Sequence, residues 1–178
     1  MTEFNLRLKA SVEANKFRYG YPWIYSNEII SDRRTKSLLP GSFCTLVDYN
    51  KNPICLVTVN PNSKIFARVM DYNLETIINA YWLKDRISKA LAKRKEIFRD
   101  PFYRLVNAEA DELPGLIVDR FDNVIVMQPN AFWAENMSEM IANSIKEVCS
   151  IDVVIKNASG RSRRLEGLDD KNSVFFGD

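Results

Sequence analysis

Residues 104–123 read Arg-Leu-Val-Asn-Ala-Glu-Ala-Asp-Glu-Leu-Pro-Gly-Leu-Ile-Val-Asp-Arg-Phe-Asp-Asn. The order is a strand, an acidic turn closed by Pro114-Gly115, a second strand and a second turn at Asp122-Asn123. Residues 103–108 and 116–121 supply the two β-rich runs. Asp and Asn tolerate positive φ, so Asp122-Asn123 suits a tight hairpin. Residues 124–128 continue the sheet. Residues 132–148 place Met137, Met140, Ile141 and Ile145 on one helical face, and residues 152–155 return to a strand pattern. The expected core is β-β-helix-β.

Upstream, apolar residues from Leu74 to Phe98 recur at helical spacing, with Lys84, Lys89, Lys93 and Lys95 on the other side. A long amphipathic helix is expected, ending before Asp100-Pro101. Still earlier, residues 43–48, 54–60 and 65–70 are short β-rich runs separated by Asn/Pro/Ser turns, and residues 5–12 alternate apolar and polar. That spacing predicts a small β-barrel. Pro22 is expected to open a short helix over residues 22–30. Arg33, Arg34 and Lys36 are placed in a polar loop. Beyond Ala158, the Ser-Gly-Arg-Ser-Arg-Arg stretch is expected to be a flexible basic tail. Two domains follow: residues 1–72, a barrel with a short helix, and residues 73–178, an α+β domain entered through the long helix.

The composition narrows the chemistry. Three scattered cysteines (Cys44, Cys55 and Cys149) and no C-x-x-C pair argue against a disulfide framework or zinc. The chain has no histidine, which excludes Ser-His-Asp and Cys-His catalysis. No apolar run reaches membrane-spanning length, and the N-terminus lacks a secretory core, so a cytoplasmic protein is expected. Charge is uneven: residues 1–70 hold 10 Lys/Arg against 5 Asp/Glu, and residues 71–178 hold 15 against 18. The basic first part suits a polyanion.

Three constellations could carry function. The first is Tyr19-Gly20-Tyr21-Pro22-Trp23-Ile24-Tyr25-Ser26, flanked by Lys16, Arg18, Arg33 and Arg34. Aromatic rings stack on unpaired bases and cations meet phosphates, which is what single-stranded RNA recognition needs. A plug capping the barrel is the structural alternative. The second is Glu109-Ala110-Asp111-Glu112. Paired carboxylates can bind Mg²⁺ or exchange protons, but with no partner lysine, histidine or glycine loop they are expected to shape the turn. The third is the basic run holding Arg161, Arg163 and Arg164, a candidate for phosphate contact or a solvated linker.

Residues 104–121 also fit a family signature, R-L-x-x-x-E-x-D-x-L-P-G-L-x-V-D-R-[FY]. On it the chain resembles PUA-domain-containing, S-adenosylmethionine-dependent 23S ribosomal RNA (cytosine-C5) methyltransferases of the RlmI type. Tyr21-Pro22-Trp23-Ile24-Tyr25-Ser26 is similar to that family's H-P-W-[VI]-[FY]-S motif, with tyrosine where the family has histidine. Pro40-Gly41 and residues 60–69, Asn-Pro-Asn-Ser-Lys-Ile-Phe-Ala-Arg-Val, also match. The first loop departs: Lys9-Ala10-Ser11-Val12-Glu13 lacks the family's glycine and arginine. Residues 156–168 are similar to the region that leads toward the family's catalytic domain.

The resemblance implies an N-terminal PUA-like RNA-binding domain followed by a non-catalytic middle domain. On this resemblance the chain is expected to stop short of the family's catalytic domain. It has no G-x-G, and its cysteines lack a catalytic context, so no S-adenosylmethionine site and no methylation are expected of it alone. The implied partner is ribosomal RNA, with Lys16, Arg18, Tyr21, Trp23, Arg33, Arg34, Lys64, Arg68, Arg161, Arg163 and Arg164 as contact candidates. S-adenosylmethionine would serve only the full-length enzyme. No membrane partner is expected, and a homodimer is allowed. A stand-alone RNA-binding module, a remnant of a split methyltransferase gene, and a protein-interaction adaptor using the Trp82 and Trp133 helices stay open.

Overall fold

The computed structural model describes residues 4–177. The N-terminal reading from Met1 therefore lies partly outside the described residues. The chain forms two compact units, Met1–Thr76 and Ile77–Asp178.

In the first unit, five strands form one sheet: β1 (Asn5–Arg7), β2 (Trp23–Tyr25), β3 (Phe43–Val47), β4 (Pro53–Val59) and β5 (Ile65–Asp71), in the order β1-β3-β4-β5-β2. β1 runs parallel to β3, and the other pairs are antiparallel. The two edges meet beyond the strand ends. Leu8 bridges to Ile29, Lys9 N donates to Glu28 O at 2.9 Å, and Ile30 N donates to Arg7 O at 2.8 Å. This closes the sheet into the expected barrel and satisfies backbone groups that an open edge would expose. Leu6, Leu8, Phe17, Ile24, Ile29, Leu46, Cys55, Val57 and Phe66 fill it.

Residues 22–30 do not form a helix. The Trp-Ile-Tyr run is aromatic and β-branched and joins the sheet, with Trp23 opposite Arg68 and Ile24 opposite Ala67. Pro22 needs no ladder donor at its edge position, and its carbonyl accepts from Val69 N at 2.9 Å. Two one-turn helices that the sequence reading left out also appear: α1 (Asn15–Arg18) and α2 (Arg33–Lys36). Asp32 caps α2 by accepting from Thr35 N at 2.8 Å, so Arg33, Arg34 and Lys36 stand on a capped turn.

In the second unit, α3 (Ala80–Ile97) begins at Asn79, whose side chain accepts from Trp82 N at 3.1 Å. Residues 74–79 lie outside it, so the helix starts later than the periodicity implied. Then come β6 (Phe102–Asn107), β7 (Leu116–Phe121), β8 (Val124–Pro129), α4 (Phe132–Asn136), α5 (Ser138–Cys149), β9 (Val153–Lys156), α6 (Arg161–Glu166) and β10 (Ser173–Phe176). The sheet order is β10-β9-β8-β7-β6. Pairing is antiparallel except β8 with β9, which are parallel and joined by the α4–α5 crossover. The fold class is α+β, as expected, with three strands before the crossover and two after. The expected single helix over 132–148 is broken at Met137 (φ −108°, ψ 15°).

The tail beyond Ala158 is a packed element, which corrects the reading of it as flexible. Arg163 is fully buried. Its Nη1 donates to Glu135 Oε2 at 2.7 Å, and its Nε donates to Asp169 O at 2.9 Å. Lys156 Nζ donates to the other oxygen of Glu135 at 2.7 Å. Ala158 N donates to the Asn172 side chain at 2.7 Å, and β10 pairs with β9. A run of four polar residues around one arginine carries no apolar period, so only the fold reveals its burial.

Candidate nucleic-acid interface

The signature segment is framework. Asp111 is buried, pairs with Arg94 and accepts from Asn107 N at 2.8 Å. Lys93 lies 3.9 Å from it. Arg104 and Asp119 face each other across β6 and β7 and pair at 2.9 Å, which raises the affinity of the guanidinium for its proton. Leu113, Leu116 and Val118 are fully buried. Gly115 has φ +75°, and a Cβ there would lie 2.7 Å from Ala131 Cβ, so both conformation and space require glycine. The carboxylates thus shape the turn, and among the described residues no group of acids, cysteines or histidines could hold a metal.

Lys16, Arg18, Tyr21 and Tyr72 meet on and beside α1. Lys16 pairs with Glu28 and stands over the rings of Phe17 and Tyr21, 4.8 and 4.9 Å from their centroids. Tyr21 meets Phe17 edge-on at 6.1 Å. A side-chain hydrogen bond with Tyr21, and then burial, raise the Tyr25 hydroxyl above its ordinary range. Arg18 lies 3.6 Å from Asp48, whose carboxyl is held below its ordinary range by hydrogen bonds from Asn52. The Tyr72 hydroxyl donates to Phe17 O at 2.9 Å. Tyr19 and Tyr49 are exposed, and Arg7 lies 4.7 Å above the Tyr49 ring while its Nε donates to Tyr49 O at 2.8 Å.

The sequence candidates divide by accessibility. Lys16, Arg18 and Tyr21 belong to the α1 cluster, where both cations already have carboxylate partners. Arg33 and Arg34 are exposed on α2, and Lys64 is exposed beside Ser26, whose N donates to Lys64 O at 3.0 Å. Trp23 is half-buried in β2, and its cross-strand neighbour Arg68 is buried. Arg161 and Arg164 are exposed on α6, whereas Arg163 points into the core. Burial takes Arg68 and Arg163 out of reach of a phosphate. Trp82 and Trp133 meet edge-on at 6.2 Å and are both buried.

Arg7, Tyr19, Tyr49 and Tyr72 were not among the sequence candidates. Tyr19 lies inside the first constellation and needed only its exposure. Arg7 and Tyr49 are 42 positions apart, and nothing local signals that β1 and β3 bring them together.

A family model for a PUA-like domain matches residues 6–72. The chain carries a PUA-like domain. It is also homologous to ribosomal RNA large subunit methyltransferases. That of Deinococcus radiodurans is 29% identical over 183 residues, covering 96% of this chain and 44% of the relative. Ribosomal RNA large subunit methyltransferase I of Vibrio vulnificus strain CMCP6 is 30% identical over 161 residues, covering 89% and 40%. Among solved structures, a putative SAM-dependent methyltransferase from Streptococcus mutans superimposes with a TM-score of 0.77 at 13% identity, covering 100% of this chain and 44% of that one. A putative methyltransferase complexed with SAH gives 0.72 at 14% identity, over 88% and 40%. The chain therefore spans less than half the length of the curated relatives it matches.

The described residues do not fit S-adenosylmethionine. In a parallel strand–helix crossover such a cofactor sits against a glycine-rich turn at the helix N-terminus. The β8–α4 turn has Asn130-Ala131 in that place, with no glycine. Gly115 fills the space beside it: Asn130 N donates to Gly115 O at 2.8 Å, and Ala131 abuts the glycine. Burial pushes the Cys44 and Cys55 thiols up to about 12 and raises that of Cys149, which favours the protonated thiol at all three. No helix among the described residues is long and apolar enough to cross a membrane.

Proposed function

We propose that the chain binds RNA through its PUA-like unit and positions ribosomal RNA for a methyltransferase activity that its own residues do not supply. The observation that carries this reading is the match of residues 6–72 to a PUA-like domain, in which Lys16 and Arg18 stand on one short helix followed by the exposed Tyr19 and Tyr21. Tyr19, Tyr21 and Tyr49 offer faces for unpaired bases, and Arg7, Arg18, Arg33, Arg34 and Lys64 offer charge to the backbone. The Glu28 carboxylate holds Lys16 beside the Phe17 and Tyr21 rings, and Asp48 pairs with Arg18. Ribosomal RNA is the substrate class named for the relatives, and cofactor binding belongs to chemistry outside the described residues.

The reading is tested by fluorescence anisotropy with labelled single-stranded RNA, comparing wild type with Tyr21→Ala and with Arg33→Glu/Arg34→Glu. Loss of a stacking ring weakens binding by about 1–3 kcal/mol. The charge reversal weakens it further at low salt than at high salt. Affinity unchanged in both variants refutes the assignment to this unit.

A further inference from the structure

The second unit carries an aromatic and basic surface that the framework role of its signature does not use. α3 ends at Ile97, and Phe98 turns into extended backbone (ψ 131°) as its C-cap. The Phe98 ring stacks on Tyr103 of β6, with centroids 5.3 Å apart and planes at 28°. Beside that stack lies an open notch of about 440 Å³ lined by Arg94, Phe98, Arg104, Asn107 and Asp119. The Arg94 guanidinium is anchored on Asp111, and its Nε donates to Arg104 O at 2.9 Å. Arg104 is held by Asp119 but keeps half its side chain in solvent. Phe102 and Phe121 are opposite each other on β6 and β7 and are 62% and 51% exposed.

Cations near a helix C-terminus already complement its dipole, which accounts for charge there. It does not account for three exposed phenylalanines at the same corner, since solvated surfaces rarely gather large apolar rings. Lys95 and Arg99 stand on either side of Phe98 in sequence and make no ion pair among the described residues. Rings that can stack, flanked by cations without carboxylate partners, match a strand of bases joined by phosphates better than an apolar partner.

We infer that the α3–β6 corner, with Phe98, Phe102 and Tyr103 as stacking faces and Lys95, Arg99 and Arg104 as phosphate contacts, is a second binding site for single-stranded RNA. It rests on the RNA reading of the first unit. The exposed cations draw the backbone in, and the rings hold bases without reading their identity.

The test uses the whole chain and a labelled single-stranded RNA of about 15 nucleotides. Wild type is compared with Phe98→Ala/Phe102→Ala, with Lys95→Glu/Arg99→Glu, and with Tyr21→Ala as the first-unit reference. Circular dichroism confirms that each variant is folded, and sedimentation gives its mass. The expected result is about tenfold weaker binding for both second-unit variants, a shallower salt slope for the charge reversal, and photo-crosslinks from thiouridine-substituted RNA to peptides of residues 95–104. If Tyr21→Ala weakens binding and both second-unit variants match wild type, the inference is overturned and the RNA reading stands. If the phenylalanine variant changes only the sedimenting mass, the corner is a self-association surface and the inference is again overturned. If wild type binds no RNA, both readings fall together.

Discussion

The indole Nε1 of Trp133 donates a hydrogen bond to the carbonyl of Pro114 at 2.7 Å, with both residues buried. The bond ties the start of α4 to the Pro-Gly turn of the signature segment, 19 positions away. It explains why that turn is held so closely: one neighbour of Pro114 packs on Ala131, and the other, Leu113, is core.

Trp133→Phe keeps most of the ring and removes the donor. A buried carbonyl left unsatisfied costs about 1–3 kcal/mol. Urea denaturation followed by circular dichroism should show a lower midpoint, corresponding to a stability loss of that size. An unchanged midpoint would mean that the carbonyl finds water and the bond is dispensable.

Gly115→Ala is expected to cost more than about 1 kcal/mol, because alanine resists positive φ and its Cβ would collide with Ala131. Gly20→Ala is the comparison, since Gly20 also has positive φ (+102°) but no atom within 4 Å of a Cβ. The Gly115 variant should be clearly the less stable of the two. Equal losses would remove the packing contribution.

Arg163→Ala leaves the Pro129 carbonyl and one oxygen of Glu135 without their buried partner. A loss of about 3 kcal/mol is expected. Arg161→Ala and Arg164→Ala, on the exposed side of the same helix, should stay within about 0.5 kcal/mol of wild type. Denaturation midpoints decide. Three equal values would mean that the Glu135 network does not secure the tail.

Burial pushes the Cys44 and Cys55 thiols from 9.0 up to about 12. The fold favours the protonated thiol, so this contribution is complete below pH 9 and is lost as pH rises toward 12. Native protein should resist a thiol reagent at neutral pH and react once unfolded. Stability should fall through the alkaline window, and Cys44→Val/Cys55→Val should flatten that fall. Rapid labelling of the native chain contradicts it.

Much of the fold was legible because its strands are short β-branched runs between turns, and the two long helices have a clear apolar face. β2 was missed because Pro22 suits a helix start as well as an edge strand, and only the partner strand β5 decides. α6 was missed because Arg163 is buried through its ion pair with Glu135, which leaves no apolar period. For the candidate site, residue types were visible but not access. Arg68 and Arg163 read as surface cations and are interior, while Arg7 and Tyr49 are joined only by the sheet.

The most direct test of RNA binding by this chain is the affinity for unlabelled single-stranded RNA competed against a fluorescent strand across a salt series. Binding should weaken steeply, with log affinity against log salt falling by about 0.7 for each phosphate neutralised and a total slope of about −2 to −4. A flat dependence, or no binding at low salt, contradicts it.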